Sequence, residues 1–324
     1  MRNEIRESNE RTTAIDQSRQ NLHTPRCVIL VIAGQDPTSR EPVSSVEGFD
    51  LFSQIWNHLP ALKTARYCHA SVIFNNKILV CGGLTTSSYD DPTDSIEVFD
   101  LDNDPQEWKR FAVNLPIKVA AHKCVVYEDR LLIVGGADGK EFFDTIYELR
   151  LVPPYSSRLL CRMKKKRALH GVELFDDKLL IAGGMGAETD VEIYDITSNQ
   201  CFEMPPLPSP VYQMATVRRD ESMLLIGGID KNGEVSNEII GYESKTGWSE
   251  ILLVMEDERA SCLAVLVEDT LVVVDGAVQD EVKGKTDCFN FLPNSWTSLP
   301  SLSEIRCHST AVVVNNAFCR PFTA

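Results

Sequence analysis

His69, His122 and His170 each open a short apolar run, in HASVIFNN, HKCVVYED and HGVELFDD. Histidines that converge on one axis can bind a metal, because neutral imidazole is a zinc ligand. An imidazole can also bond backbone at the start of a strand, and units that hold the three rings apart favour that reading. Arg66, Arg167, Arg259 and Arg306 precede four such runs, with Val119 and Val211 before the other two. A guanidinium grips a carboxylate with two parallel hydrogen bonds. Four arginines around a pocket would therefore hold an acidic peptide. The alternative is that they bond carbonyls between neighbouring units. GGADGKEFFD (135–144) is glycine-rich with a lysine, but a phosphate loop needs a helix after it. Here a strand follows, so a hairpin connection is expected. MKKKR (163–167) is the one concentrated basic site, read as a solvated turn that an acidic partner would be able to use.

The elements that carry these residues repeat. Six apolar runs end at glycine: VILVIAG (28–34), KILVCGG (77–83), RLLIVGG (130–136), KLLIAGG (178–184), MLLIGG (223–228) and TLVVVDG (270–276). A period of about 50 residues is the signature of propeller blades, which must stack because none buries both faces alone. Upstream of most runs lies another strand and a turn such as Asn-Asn, Glu-Asp or Asp-Asp, suited to the positive φ of tight hairpins. Downstream comes an aromatic strand: VEGFD, IEVFD, TIYEL, VEIYD, IIGYE or CFNF. A fourth strand often opens near tryptophan, with Cys201 in that place in the fourth repeat.

The pattern Arg-x-x-His, strand, turn, strand, Gly-Gly, aromatic strand, Trp, Leu-Pro resembles the kelch repeat over about residues 26–316. The resemblance implies an all-β, six-bladed propeller of four-stranded antiparallel blades. The first repeat lacks its opening strand, and RCHSTAVVVNN (306–316) is an opening strand without a successor, so 307–314 is expected to close the ring. Closure removes exposed edges. Structural roles are expected for Gly82, Gly83, Gly135, Gly136, Gly183, Gly184, Gly227, Gly228 and Gly276. The same holds for the aromatics Trp56, Trp108, Trp248, Trp296, Phe99, Tyr147, Tyr194 and Tyr242. His308 stands one residue nearer its arginine than the other histidines do, which makes Arg306 the least secure of the four.

Composition narrows the partners. The 324 residues carry 32 Lys+Arg against 47 Asp+Glu, a net charge of −15. That balance disfavours nucleic acid and anionic membrane as partners of the whole surface. Ten cysteines are scattered without a CxxC pair, no stretch suits a membrane span, and residues 1–17 have no apolar signal region. A cytoplasmic protein with free thiols is expected. Residues 1–25 read as a polar tail, 26–316 as the propeller and 317–324 as a short tail. No cofactor, metal or catalytic residue is expected.

The resemblance extends to the propellers of BTB-kelch substrate adaptors, in which the leading arginine lies on the rim of a peptide pocket. The 25 residues ahead of this propeller are too few for BTB and BACK domains. The expected function is a non-catalytic, monomeric protein-interaction module, with affinity in the loops 35–42, 84–94, 137–144, 185–190, 229–237 and 277–286. It would serve substrate recognition for a ubiquitin-ligase-type assembly. Alternatives are an actin-associated scaffold and, further off, a kelch-type sugar isomerase, for which no base stands out.

Overall fold

The computed structural model describes residues 27–103, 106–278, 281–282 and 284–315. The expected terminal tails lie outside them. Blade 1 holds β1 (Cys27–Gln35), β2 (Pro42–Asp50) and β3 (Ile55–Leu59). Blade 2 is β4 (Ala70–Phe74), β5 (Lys77–Cys81), β6 (Ile96–Asp100) and β7 (Trp108–Arg110). Blade 3 is β8 (Lys123–Tyr127), β9 (Arg130–Val134), β10 (Thr145–Arg150) and β11 (Ser157–Arg162). Blade 4 is β12 (Gly171–Phe175), β13 (Lys178–Ala182), β14 (Val191–Asp195) and β15 (Gln200–Met204). Blade 5 is β16 (Ala215–Arg219), β17 (Ser222–Ile226), β18 (Glu238–Glu243) and β19 (Ser249–Val254). Blade 6 holds β20 (Leu263–Val267) and β21 (Thr270–Val274), then a small hairpin of β22 (Ala277–Val278) and β23 (Glu281–Val282), then β24 (Thr286–Asn290) and β25 (Ser295–Leu299).

The last strand, β26 (Thr310–Asn315), pairs antiparallel with β1, from Cys27↔Asn315 to Ile32↔Thr310. It supplies the opening strand that the first repeat lacks and closes the ring of six four-stranded blades.

The second strand of each blade reads as a continuous apolar run because both its faces are covered. Ile78 and Val80 of β5 pack into the core shared with blade 1, while Leu79 and Cys81 pack into the core shared with blade 3. The hairpin turns take positive φ at Asn75, Asn76, Glu128, Asp176, Asp220 and Glu268. Gly82 and Gly83 have φ of +63° and +93°, and a Cβ on Gly82 would sit 2.6 Å from the Val119 carbonyl of the next blade. Only glycine tolerates both the conformation and the approach.

Blades are joined by a repeated backbone bond. The second glycine donates to the carbonyl that opens the next blade: Gly34 to Arg66, Gly83 to Val119, Gly136 to Arg167, Gly184 to Val211 and Gly228 to Arg259, at 2.7–2.9 Å. The junction of blades 6 and 1 differs. Asp275 stands where blades 2 to 5 have their first glycine, and its carboxylate accepts from Gly276 N at 2.8 Å and Arg306 N at 3.1 Å.

Candidate functional site

The four leading arginines are buried, at 0%, 0%, 3% and 1% exposure for Arg66, Arg167, Arg259 and Arg306. Each faces an acid on the third strand of its own blade. Arg66 Nη2 lies 2.8 Å from Glu97, Arg167 Nη2 2.6 Å from Glu192 and Arg306 Nη2 2.7 Å from Glu47, and Arg259 pairs with Asp287. The other guanidinium nitrogen holds carbonyls of the same blade, as Arg66 Nη1 does with Gly82 at 2.9 Å and Ser95 at 3.2 Å. The acids also tie down the incoming linker: Glu97 accepts the N–H of Lys63 and Thr64, and Glu192 that of Lys164 and Lys165.

The expectation of an arginine-lined pocket is therefore corrected. These side chains are used inside the blades, and the carbonyls they hold belong to their own blade rather than to a neighbour. Burial pulls the pKa of Arg66, Arg167 and Arg306 down from the ordinary arginine value, and the facing acid opposes the shift.

The two blades without the arginine also lack the acid. Sheet register places Tyr147 of blade 3 and Ile240 of blade 5 where Glu97 stands in blade 2. Val119 and Tyr147, like Val211 and Ile240, replace a charged pair with an apolar one. A buried carboxylate left without its guanidinium would be costly, so the two positions change together. The sequence carried this signal in the second residue of VEGFD, IEVFD and VEIYD.

The same register moves Tyr147 off the aromatic position expected for it, where Leu149 packs instead. It also moves Trp248. Trp56, Trp108 and Trp296 pair across the strands with Phe49, Phe99 and Phe289, with ring centroids 4.8–5.1 Å apart. Opposite Tyr242 stands Ser249, and Trp248, one residue earlier, is 68% exposed. Cys201 does take the tryptophan place, opposite Tyr194.

His69, His122 and His170 are buried at the inner end of successive blades. Among the described residues, neither ring nitrogen of His122 or His170 has a hydrogen-bond partner. The rings pack against the preceding blade: a Cβ on Gly82 would meet His122 Cε1 at 2.8 Å, and one on Gly135 would meet His170 Cε1 at 2.7 Å. Burial lowers His69 and His122 to about 3, His308 to about 4, and His170 well below the ordinary value.

His308 is not their equivalent. Ser309 precedes the start of β26 as His69 precedes β4, which restores the register of Arg306. His308 instead joins Cys68, Ala121, Leu169, Gln213 and Ser261, all at φ of +51° to +58°. These six form a collar around the channel mouth: Cys68 N donates to His308 O, Ala121 to Cys68, Leu169 to Ala121, Gln213 to Leu169 and Ser261 to Gln213, at 2.8–3.0 Å. At the remaining step Ser261 Oγ lies 3.4 Å from His308 Nδ1.

Among the described residues no group of three His, Cys, Asp or Glu is placed to hold a metal, and no helix is long and apolar enough to cross a membrane. Among the described residues Cys68, Cys81, Cys124, Cys161, Cys201, Cys262, Cys288 and Cys307 are free thiols.

The connections after each second strand surround the collar. The one within GGADGKEFFD is a turn between β9 and β10, in which Asp138 Oδ1 accepts the N–H of Lys140 at 2.9 Å and of Glu141 at 3.0 Å. Asp36 and Asp230 hold their own loops in the same way, and these bonds lower the pKa of all three. In MKKKR, Met163 and Arg167 are buried, Lys166 pairs with Glu141, and Lys164 and Lys165 are exposed.

The kelch motif model matches residues 65–104 and 166–208, in blades 2 and 4, two of the four blades that carry the leading arginine. The ring is a propeller with kelch motifs. A kelch repeat-containing protein of Arabidopsis thaliana is 30% identical over 112 residues, 34% of this chain and 26% of the relative. The chain thus spans about a quarter of that relative's length. The solved structure of YjhT superposes with a TM-score of 0.68 at 13% identity, over 78% of this chain and 88% of that one. At that identity the likeness speaks for the fold alone. The matched residues include Arg66 with Glu97 and Arg167 with Glu192, the pairs that tie the strands of their own blades together.

Proposed function

We propose that the kelch propeller is a non-catalytic protein-interaction module that engages its partner through the loops around the collar. The observation that carries this reading is the contrast between the two kinds of position. The repeated charged and aromatic residues are used within and between blades, whereas the six connections around the collar differ in sequence and mostly in length. A rigid scaffold with unlike loops at one end is how repeat folds carry specificity.

With the arginines buried, an acidic partner would meet Lys164 and Lys165 instead. The finer reading, substrate recognition for a ubiquitin-ligase-type assembly by a monomeric propeller in the cytoplasm, is supported by the kelch motifs and the free thiols. The test is affinity capture with wild type and with Lys164→Glu/Lys165→Glu. The expected outcome is loss of specific partners from the double variant. Recovery of the same partners by both proteins would remove Lys164 and Lys165 from the reading, and recovery by a propeller with blade 2–4 loops shortened to glycine linkers would overturn it.

A further inference from the structure

Blades 4 and 5 share a core but meet without an indole wedge at its outer edge. In blades 1 and 2 the indole opposite the core aromatic reaches back to the preceding blade: Trp56 Nε1 donates to Pro300 O at 2.8 Å and Trp108 Nε1 to Pro60 O at 2.9 Å. Blade 5 has Ser249 at that position, and Tyr242 OH takes the matching Pro205 carbonyl at 2.6 Å. Trp248 cannot supply the wedge. The chain at Gly247, with φ +73°, lies so close to Pro205 that a Cβ there would be 2.6 Å from the proline ring, and the indole turns to solvent.

Beside this place, reaching Met204 next to Pro205, lies a cleft of about 610 Å³, floored by Phe175, Leu180, Ile193, Phe202 and Met204. Phe202 stays 48% exposed, and Ile251, on the blade 5 side of the gap opposite Ile240, stays 50% exposed. Large apolar side chains left open beside an unfilled groove mark an interaction site. The rim is acidic: Asp176, Asp177 and Asp195 stand against Lys178, while Lys245 is paired with Glu221 at 3.0 Å.

We propose that this cleft binds a protein segment carrying one aromatic side chain flanked by basic residues, the aromatic ring entering where blades 1, 2 and 6 place their own indole. The ring would cover Phe202 and Met204, and the basic flank would meet Asp176 and Asp195. The partner surface lies on the side of the ring, away from the collar loops, so it does not depend on the reading given above.

The test uses three peptides, acetyl-Trp-Arg-Arg-amide, acetyl-Ala-Arg-Arg-amide and acetyl-Trp-Glu-Glu-amide, titrated by calorimetry and by NMR on the described propeller within the full chain. The first should bind and the other two should bind about tenfold more weakly or worse, as expected when one anchor dominates. Ser249→Trp, which fills the gap from within, should abolish binding. Phe202→Glu, at an exposed position, should do so without altering the melting transition and keeps the result readable if the tryptophan variant folds poorly. Equal binding of the alanine or the glutamate peptide, or undiminished binding to Phe202→Glu, would overturn the proposal. So would absence of binding, or a dimer in solution that Trp248→Ala abolishes, since the cleft would then belong to a second copy of this chain.

Discussion

Arg66 and Glu97 form an ion pair inside blade 2, 2.8 Å between Nη2 and Oε1, with the arginine side chain fully enclosed. Such a pair is not by itself strong evidence of net stabilisation, because both ions lose water on burial. Its value lies in what each partner would cost alone, and in the linker and turn that the two ends hold. Blades 3 and 5 show an apolar solution to the same position.

That contrast predicts a double-variant result. Arg66→Val should destabilise the propeller by about 3–5 kcal/mol, because Glu97 is left buried and unpaired. Arg66→Val with Glu97→Ile, copying Val211 and Ile240, should recover most of the loss. Urea unfolding of the two proteins measures it, and a double variant as unstable as the single one would refute the pairing argument.

Ring closure makes β26 matter beyond its six residues. Removal of residues 305–324 takes away Arg306, the partner of Glu47, together with the strand that pairs with β1. The truncated chain should melt at lower temperature and over a broader range in calorimetry. An unshifted, equally sharp transition would show that the ring does not need its clasp.

The buried histidines set an acid limit. His69 and His122 are held near 3, below the unfolded value of about 6.5, so the folded state binds fewer protons than the unfolded state between these limits. Their contribution is complete above about pH 6.5 and is lost as pH falls toward 3. Thermal unfolding should show stability dropping across pH 6.5 to 4, and His122→Met, copying Met214 of blade 5, should flatten that slope. A slope identical in the variant would remove His122 as a cause.

Asp275 acts in the opposite sense. Burial raises it to about 6, above the unfolded value of about 3.8, even though three backbone N–H groups lower it. Its contribution is fully present below about pH 3.8 and is lost as pH rises through 6. Asp275→Asn should therefore gain more stability relative to wild type at pH 7.5 than at pH 4.5. Equal differences at the two pH values, read from denaturant midpoints, would contradict this.

Trp248 gives a direct optical check on the register of β19. At 68% exposure it should supply the fluorescence most readily quenched by acrylamide, and Trp248→Phe should remove that fraction with little change in melting temperature. A large loss of stability would place the indole in the core after all.

The amino-acid sequence by itself determined the blades. A second strand covered on both faces must be apolar throughout, a crowded turn must be glycine, and six such units with complementary defects at the two ends must close. These are local requirements, so they repeat visibly, as at Gly82 and Gly83. Which way a given side chain points was decided only by the tertiary structure. Arg66 meets Glu97 across three strands, His308 and Ser309 exchange roles through a shift of one residue, and Trp248 lies outside because Ser249 takes the position opposite Tyr242. Sheet register reverses the facing of every side chain when it moves by one. That register is fixed by packing between blades, which no single repeat contains.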